Sequence, residues 1–291
     1  LKIFNDTSYY FGILGNPLSH TLSPLLHNSW YQDLELENAY LVFPIEKISK
    51  SELLTLSKFK FLGFSVTIPH KEAAYKLADI ADPTSKAMRA SNTLVIQNNQ
   101  VRAFNTDGMG AVRAIREKTP DCLQGHILIL GSGGSARGIA YSLLEEESVK
   151  SITISSRNQA RGTEIVELLN QIRKNSSTYE DLGKVKENFK EYSLVIHTTP
   201  LGMKGKDPGP IIKEVEFAKD QALFDIVYNP LRTELVKVAE KSEARIILGS
   251  EMLLYQAVEQ FKLFTGITLS ESNIEAGRKR LVAALGVSET T

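Results

Sequence analysis

A single cysteine, Cys122, stands among 291 residues. One thiol excludes an intramolecular disulfide and fits a reducing compartment. Nothing near it marks a nucleophile. Charge of one sign is missing as well: 34 Lys and Arg offset 34 Asp and Glu, for a net charge of zero. No basic excess points to nucleic acid or to an anionic membrane surface. The five histidines, His20, His27, His70, His126 and His197, form neither H-x-H nor H-E-x-x-H, and no Cys/His cluster exists. No metal site is expected. No apolar run approaches the roughly 20 residues of a membrane span. The opening stretch, LKIFNDTSYYFGILGNPLSH, holds neither a long apolar core nor a small-residue cleavage site, so a cytoplasmic location is expected. Internal repeats and low-complexity tracts are absent.

What is present is a composition 42% hydrophobic and 23% charged, suited to one large or two ordinary globular domains. YYFGILG (9–15) reads as a strand. Ser23 and Pro24 form an N-cap and first-turn pair for a helix over 24–36. AYLVFPI (39–45) is a second strand, 49–57 a short helix, and 61–68 a third strand. TLVIQ and QVRAFN flank Asn98-Asn99 and predict a hairpin. A helix follows over 108–118. From Gly125 the short buried strands HILIL, SITISS, LVIHTT, ALFDIVY and RIILG alternate with helices, two of them over 159–173 and 231–241. Two more helices close the chain, the last over 271–285. The pattern predicts an α/β protein with doubly wound parallel sheet.

ILILGSGGSARGIAYSLL holds Gly131-x-Gly133-x-x-Ala136, a dinucleotide fingerprint with alanine in third place. It follows a strand and opens a helix, the context such a fingerprint requires. Glycines let backbone approach a pyrophosphate, and the helix N-terminus faces the anion. The next strand ends ISSRNQAR. An NAD site would carry an acid at this tip to hold the ribose hydroxyls. Here Ser156, Arg157 and Asn158 stand instead, with Arg161 one helical turn on. A guanidinium forks onto phosphate and stacks on adenine, which argues for NADP(H) with Arg157 as the main 2′-phosphate ligand.

FSVTIPHKEAAYKLAD (64–79) carries the chemistry. Phe64, Val66 and Ile68 alternate with Ser65 and Thr67 in a strand that Pro69 stops. Ala73, Ala74, Leu77 and Ala78 then recur at helical spacing. Lys71 therefore sits on a first turn, facing the positive end of the helix dipole, where a cation is disfavoured. A second polar cluster, SNTLV with FNTDGMG, carries Asn92, Asn105, Thr106 and Asp107. From spacing alone Asp107 also reads as an N-cap and Lys71 as a solvated lysine. Brought together, the two suit proton transfer to and from a hydroxyl during hydride transfer.

Over nearly its whole length the chain resembles the shikimate dehydrogenase family. GNPLSHTLSPLLHN is similar to its substrate-carboxylate motif, VTIPHK to its catalytic-lysine motif, and SNTLV and NTDGMG to its asparagine and aspartate motifs. GSGGSARG and SSRNQAR resemble its NADP loop and adenosine-phosphate clamp. TTPLGM, FDIVYNPLRTELV and GSEMLLYQAVEQFKLFTG follow in family order. The resemblance implies Lys71 and Asp107 as an acid–base dyad, with NADPH reducing 3-dehydroshikimate to shikimate in aromatic amino-acid (chorismate) biosynthesis. It implies Thr21 and Ser23 at the substrate carboxylate, and Thr67, Asn92, Asp107 and Gln256 at the ring hydroxyls, with Tyr228 near substrate and nicotinamide. Gly131, Gly133, Gly134, Ala136, Ser156, Arg157, Asn158, Arg161, Thr198 and Gly249 fall to the cofactor. Two positions depart from the family. Thr21 replaces a more usual serine, and its methyl bears on discrimination against quinate. Ser156 stands where asparagine is frequent.

The expected architecture is a substrate domain, 1–106 with 250–291, and a Rossmann-type NADP domain, 107–249, with a cleft between them. The expected partner is a small molecule, with neither nucleic acid nor membrane, in a monomer or homodimer. Two other readings stay open: a quinate/shikimate dehydrogenase of the same fold, and a non-catalytic NADP-sensing module.

Overall fold

The structure, a computed structural model, describes residues 4–286; the expected domain ends 1–3 and 287–291 lie outside the described residues. Two compact units emerge. One comprises the residues up to Asp107 and those from Leu254 onward, the other Gly108–Leu253.

The first unit contains β1 (Tyr10–Gly15), α1 (Ser23–Asp33), β2 (Ala39–Pro44), α2 (Lys50–Ser57), β3 (Phe61–Val66), α3 (Lys71–Leu77), β4 (Ile80–Ala81), α4 (Pro83–Met88), β5 (Thr93–Gln97) and β6 (Gln100–Phe104). Its six strands run in the order β2-β1-β3-β5-β6-β4. β1 pairs parallel with β2 and β3, β4 with β6, while β5 is antiparallel to both its neighbours. Asn98 and Asn99 both take positive φ, 52° and 59°, as a two-residue turn between right-twisted strands requires.

α5 (Asp107–Lys118) opens the second unit, followed by β7 (His126–Leu130), α6 (Gly134–Leu144), β8 (Ser151–Ser155), α7 (Gln159–Ile172), β9 (Ser177–Tyr179), α8 (Leu182–Glu187), β10 (Leu194–His197), β11 (Ala222–Asp225), α9 (Glu234–Lys241) and β12 (Arg245–Leu248). All strand pairs here are parallel, in the order β12-β11-β10-β7-β8-β9. Numbered from its own first strand, this is the 6-5-4-1-2-3 order of the dinucleotide-binding fold, with its switch point between β7 and β10. The α/β class expected from the sequence holds. α10 (Gly249–Thr265) and α11 (Glu271–Ala284) close the described chain. No helix among the described residues is long and apolar enough to cross a membrane.

Burial explains why these strands read as unbroken apolar runs. β7 and β10 are covered on both faces, and Ile127, Leu128, Ile129, Leu194, Val195 and Ile196 have no exposed surface. Each such side chain contributes roughly 1.5–3 kcal/mol of transfer free energy. In the first unit α11 packs on α1, where Gly277 abuts the Trp30 ring and the indole N–H donates to the Asn273 carbonyl at 2.9 Å.

Three expectations about ends are corrected. Ser23 is not an N-cap: α1 begins at Ser23 itself, the cap is Leu22, and no side chain caps the helix. β3 ends at Val66 rather than at 68, because the chain turns there: the His70 N–H bonds the Thr67 carbonyl at 2.9 Å. α9 begins at Glu234 rather than 231, where the Thr233 hydroxyl accepts from the Val236 N–H.

Candidate active site

Lys71 is the first residue of α3, and the turn before it is pinned. His70 is buried, and its Nε2 donates to the Ile45 carbonyl at 2.8 Å. The Lys71 carbonyl accepts from the Ser91 N–H at 2.9 Å. From this anchored base the side chain reaches Asp107 at the start of α5, with Nζ 2.5 Å from Oδ2. The Lys71 side chain is 22% exposed and that of Asp107 7%, so the pair sits at a surface-accessible edge with its carboxylate inside.

Asn92 holds the carboxylate from the other side. Its Nδ2 lies 2.7 Å from Asp107 Oδ1, 3.0 Å from Thr106 Oγ1 and 3.2 Å from Gln256 Oε1. Its Oδ1 accepts from the Thr106 N–H at 2.8 Å and the Thr93 hydroxyl at 2.9 Å. The structure thus brings Lys71, Asp107, Asn92 and Gln256 together. Asn92 is 1% exposed, and every hydrogen-bonding position of its amide is taken by protein. Its contribution within this geometry is to orient Asp107.

Thr67 lies at the end of β3, half-buried, with its N–H on the Leu14 carbonyl at 2.9 Å. A Cβ on Gly15 would fall 2.4 Å from its methyl and 2.8 Å from Leu18, so the segment after β1 passes close beside Thr67. Thr21 and Ser23 follow in that segment, their hydroxyl oxygens 3.4 Å apart. Ser23 is buried and Thr21 partly exposed.

The second unit gathers the other predicted residues at the ends of its central strands. Gly131 has φ +128°, and a Cβ there would sit 2.4 Å from Thr198 Oγ1. Thr198 is itself tied back, donating its hydroxyl and its N–H to the Leu130 carbonyl, each at 2.9 Å. Gly133 caps α6 without a side-chain bond, and a Cβ on Gly133 or Gly134 would meet nothing within 4 Å. The start of α6 is therefore uncapped by a side chain and open beside Gly133 and Gly134, which suits an anion at its first-turn N–H groups. Ala136 is fully buried against the sheet. Gly249 starts α10 so close to the chain after β11 that a Cβ would fall 2.5 Å from the Ile226 carbonyl oxygen.

At the β8 tip, Ser156 donates to the Asn158 carbonyl at 2.9 Å, and Asn158 Oδ1 caps α7 through the Arg161 N–H at 3.1 Å. Both side chains are used in shaping the turn. Arg157 and Arg161 are exposed, with no carboxylate partner among the described residues, and no acid lies between them in sequence. The next acid, Glu164, pairs with Arg137 at 2.7 Å. Tyr228 lies in this unit, on the chain after β11, and burial pushes its phenol above the ordinary range.

Sequence reasoning missed two buried polar sets. Beneath Asn92 lies Gln260, bonded to Ser65, which in turn accepts from the Tyr40 hydroxyl at 2.6 Å. In the second unit His197 Nδ1 meets Asp225 Oδ1 at 2.9 Å, its Nε2 meets Thr199 Oγ1 at 2.6 Å, and Asp225 Oδ2 accepts from Thr233 at 2.6 Å. The available signal for the first was spacing: Gln260 follows Gln256 by four residues on one helix. The second joins residues distant in sequence and had none.

Three family models match the chain. Residues 13–94 match the shikimate dehydrogenase substrate binding domain, 113–222 match shikimate / quinate 5-dehydrogenase, and 249–276 match the shikimate 5′-dehydrogenase C-terminal domain. A curated shikimate dehydrogenase (NADP(+)) of Leptospira interrogans is 50% identical over 285 residues, 97% of each chain. Its counterpart from Methanosarcina barkeri is 34% identical over 282 residues, 95% of this chain and 99% of the relative. Among solved structures, a shikimate dehydrogenase in complex with NADP+ superposes with TM-score 0.88 at 29% identity, covering 98% of this chain and 99% of that one. The dyad, the hydroxyl pair and the glycine loop thus stand in a chain that belongs to the shikimate dehydrogenase family.

Proposed function

We propose that this protein is an NADP-dependent shikimate dehydrogenase that reversibly reduces 3-dehydroshikimate to shikimate. The observation that carries the reading is the Lys71–Asp107 pair at 2.5 Å, braced by Asn92. Family membership and the curated relatives' name support the activity.

The cofactor's chemistry fits the residues present. Gly131 lets the strand end pass against Thr198, Gly133 and Gly134 leave room for a pyrophosphate, the N-terminus of α6 offers N–H groups to it, and the exposed Arg157 and Arg161 would take a 2′-phosphate. When bound, NADPH supplies the hydride. Lys71 donates a proton from Nζ to the 3-oxo oxygen of the substrate. Asp107 keeps Nζ aimed and balances the charge, and in the reverse direction Lys71 takes the hydroxyl proton back. Thr21 and Ser23 form a neutral hydroxyl cradle for the substrate carboxylate. Thr67, Asp107 and Gln256 would bond the ring hydroxyls, Asn92 would join them by giving up one of its protein partners, and Tyr228 would stand near the substrate and nicotinamide. A substrate lacking a hydroxyl leaves such groups unpaired, which is the source of selectivity. The unit holding the dyad acts as the substrate domain and Gly108–Leu253 as the cofactor domain.

Initial rates at the NAD(P)H absorbance band, with shikimate or quinate and NADP+ or NAD+, test the reading. Turnover confined to shikimate with NADP+ is the expected result. Comparable quinate turnover transfers the assignment to a quinate/shikimate dehydrogenase, comparable use of NAD+ removes the Arg157 role, and no turnover with any pair refutes the reading.

A further inference from the structure

Gln260 is 1% exposed and lies one helical turn beyond Gln256 on α10. We infer that it is a positioning residue that fixes which end of the Gln256 amide is presented to the substrate. This rests on the function proposed above and adds a residue to that site.

The orientation follows from groups with only one role each. The Asp107 carboxylate only accepts and the Thr106 N–H only donates, so Asn92 must turn Nδ2 toward Asp107 and Oδ1 toward Thr106. Likewise the Asn92 backbone carbonyl, 3.3 Å from Gln260 Nε2, only accepts, so Gln260 must turn its NH2 that way. Its Oε1 then takes the Ser65 hydroxyl at 2.8 Å. Both amides consequently aim donors at one atom: Gln256 Oε1 lies 3.2 Å from Asn92 Nδ2 and 3.4 Å from Gln260 Nε2. The reverse orientation of Gln256 would set its own NH2 against these donors. With its oxygen satisfied from inside, Gln256 presents N–H donors, and the ligand group it meets must be an acceptor oxygen. Asn92 divides its two hydrogens among three acceptors, and Gln260 does the same among the Asn92 carbonyl, Thr93 Oγ1 at 3.1 Å and Gln256 Oε1, so the Gln256 oxygen is held inward by two shared donors, of which Gln260 supplies one.

Two variants separate this role from mere packing. Gln260→Glu keeps the acceptor for Ser65 and the side-chain shape but leaves at most one hydrogen for the three acceptors that the NH2 now faces. Gln260→Met removes both and keeps the length. In each, KM for shikimate should rise about tenfold with kcat and KM for NADP+ within about twofold, the cost of one lost bond to a ligand-orienting group. Combined with Gln256→Leu, either variant should add less than about twofold, because its effect passes through Gln256. Additive losses, or a fall in kcat at unchanged KM, would overturn the inference. A second readout needs no turnover. The Gln256 side-chain amide, identified in 15N-labelled protein by its loss in Gln256→Leu, should shift and exchange faster with solvent in Gln260→Glu. An unmoved amide signal overturns the positioning role even if shikimate proves not to be the substrate. Native protein that turns over nothing, with a moved amide signal, refutes the proposed function and leaves the role of Gln260 standing.

Discussion

The two units treat their polar groups in opposite ways. Around Lys71 the first unit saturates them: Asp107, Asn92, Thr106, Gln256 and Gln260 bond one another, and Asn92 has no position to spare. Around Gly131 the second unit leaves donors unpaired: the α6 N-terminus lacks a side-chain cap, and Arg157 and Arg161 are exposed with no carboxylate partner among the described residues. The contrast follows from what each must do. Proton transfer depends on sub-ångström aim, which a fully bonded network supplies. Holding a polyanion depends on donors that surrender few prior bonds when the ligand arrives.

Breaking the saturated side should cost most. Lys71→Ala is expected to lower kcat about a thousandfold while NADP(H) affinity, read by fluorescence titration, changes less than about twofold. Intact turnover would remove Lys71 from the mechanism. On the open side, Arg157→Ala should weaken NADP(H) about thirtyfold and NAD(H) hardly at all. An equal effect on both cofactors would mean that Arg157 stacks on adenine without reading the phosphate.

Acid probes the first unit by itself. His27 is fully buried, its ring stacked on that of Tyr40 with centroids 4.3 Å apart and nearly parallel to it. Desolvation lowers its pKa from 6.5 to about 3, against a partial offset from Gln260. The unfolded chain takes this proton below about pH 6.5 and the folded chain only near 3, so the contribution is complete above 6.5 and is lost as pH falls between those values. By pH 5 about 2 kcal/mol of it is gone. His27→Leu should reduce the fall in unfolding free energy between pH 6.5 and 4 by about 3 kcal/mol. An unchanged slope would show that other groups govern acid stability. Reading the slope, rather than the stability itself, cancels the packing cost of the substitution.

How much the sequence disclosed follows the same division. The second unit was legible because its signals are local: apolar runs, glycines at fixed offsets, and basic residues where an NAD site would place an acid. The parallel sheet, the glycine loop and the basic strand tip all follow from segments a few residues long, whereas the strand order comes from the structure alone. In the first unit, Lys71 announced itself by standing at the wrong end of a helix dipole. Asn92 stood out only within its polar cluster, and the groups behind it did not stand out at all, because Tyr40, Ser65 and Gln260 come from β2, β3 and α10 and meet only in the folded unit. Ser23 was misread for a related reason. Ser-Pro is a strong local start signal, yet this serine lies within the helix and its hydroxyl faces Thr21 rather than a backbone N–H.

That hydroxyl pair supplies the smallest and most discriminating test of the comparison. Thr21 belongs to the saturated unit but behaves like the open one: among the described residues its Oγ1 meets only Ser23, with both contacts at 3.4 Å, the long limit of a hydrogen bond. Its donor is thus available to a carboxylate, and its methyl is the extra bulk beside it. One methyl in a binding pocket is worth about 1–3 kcal/mol at most, and less where the pocket is partly open. Thr21→Ser should therefore shift the ratio of kcat/KM for shikimate over quinate by about fivefold, with thermal stability unchanged because the residue is partly exposed. A shifted ratio at constant stability places the methyl against the substrate. A lowered melting temperature with a constant ratio would return Thr21 to the saturated network, as a structural hydroxyl whose methyl packs against protein.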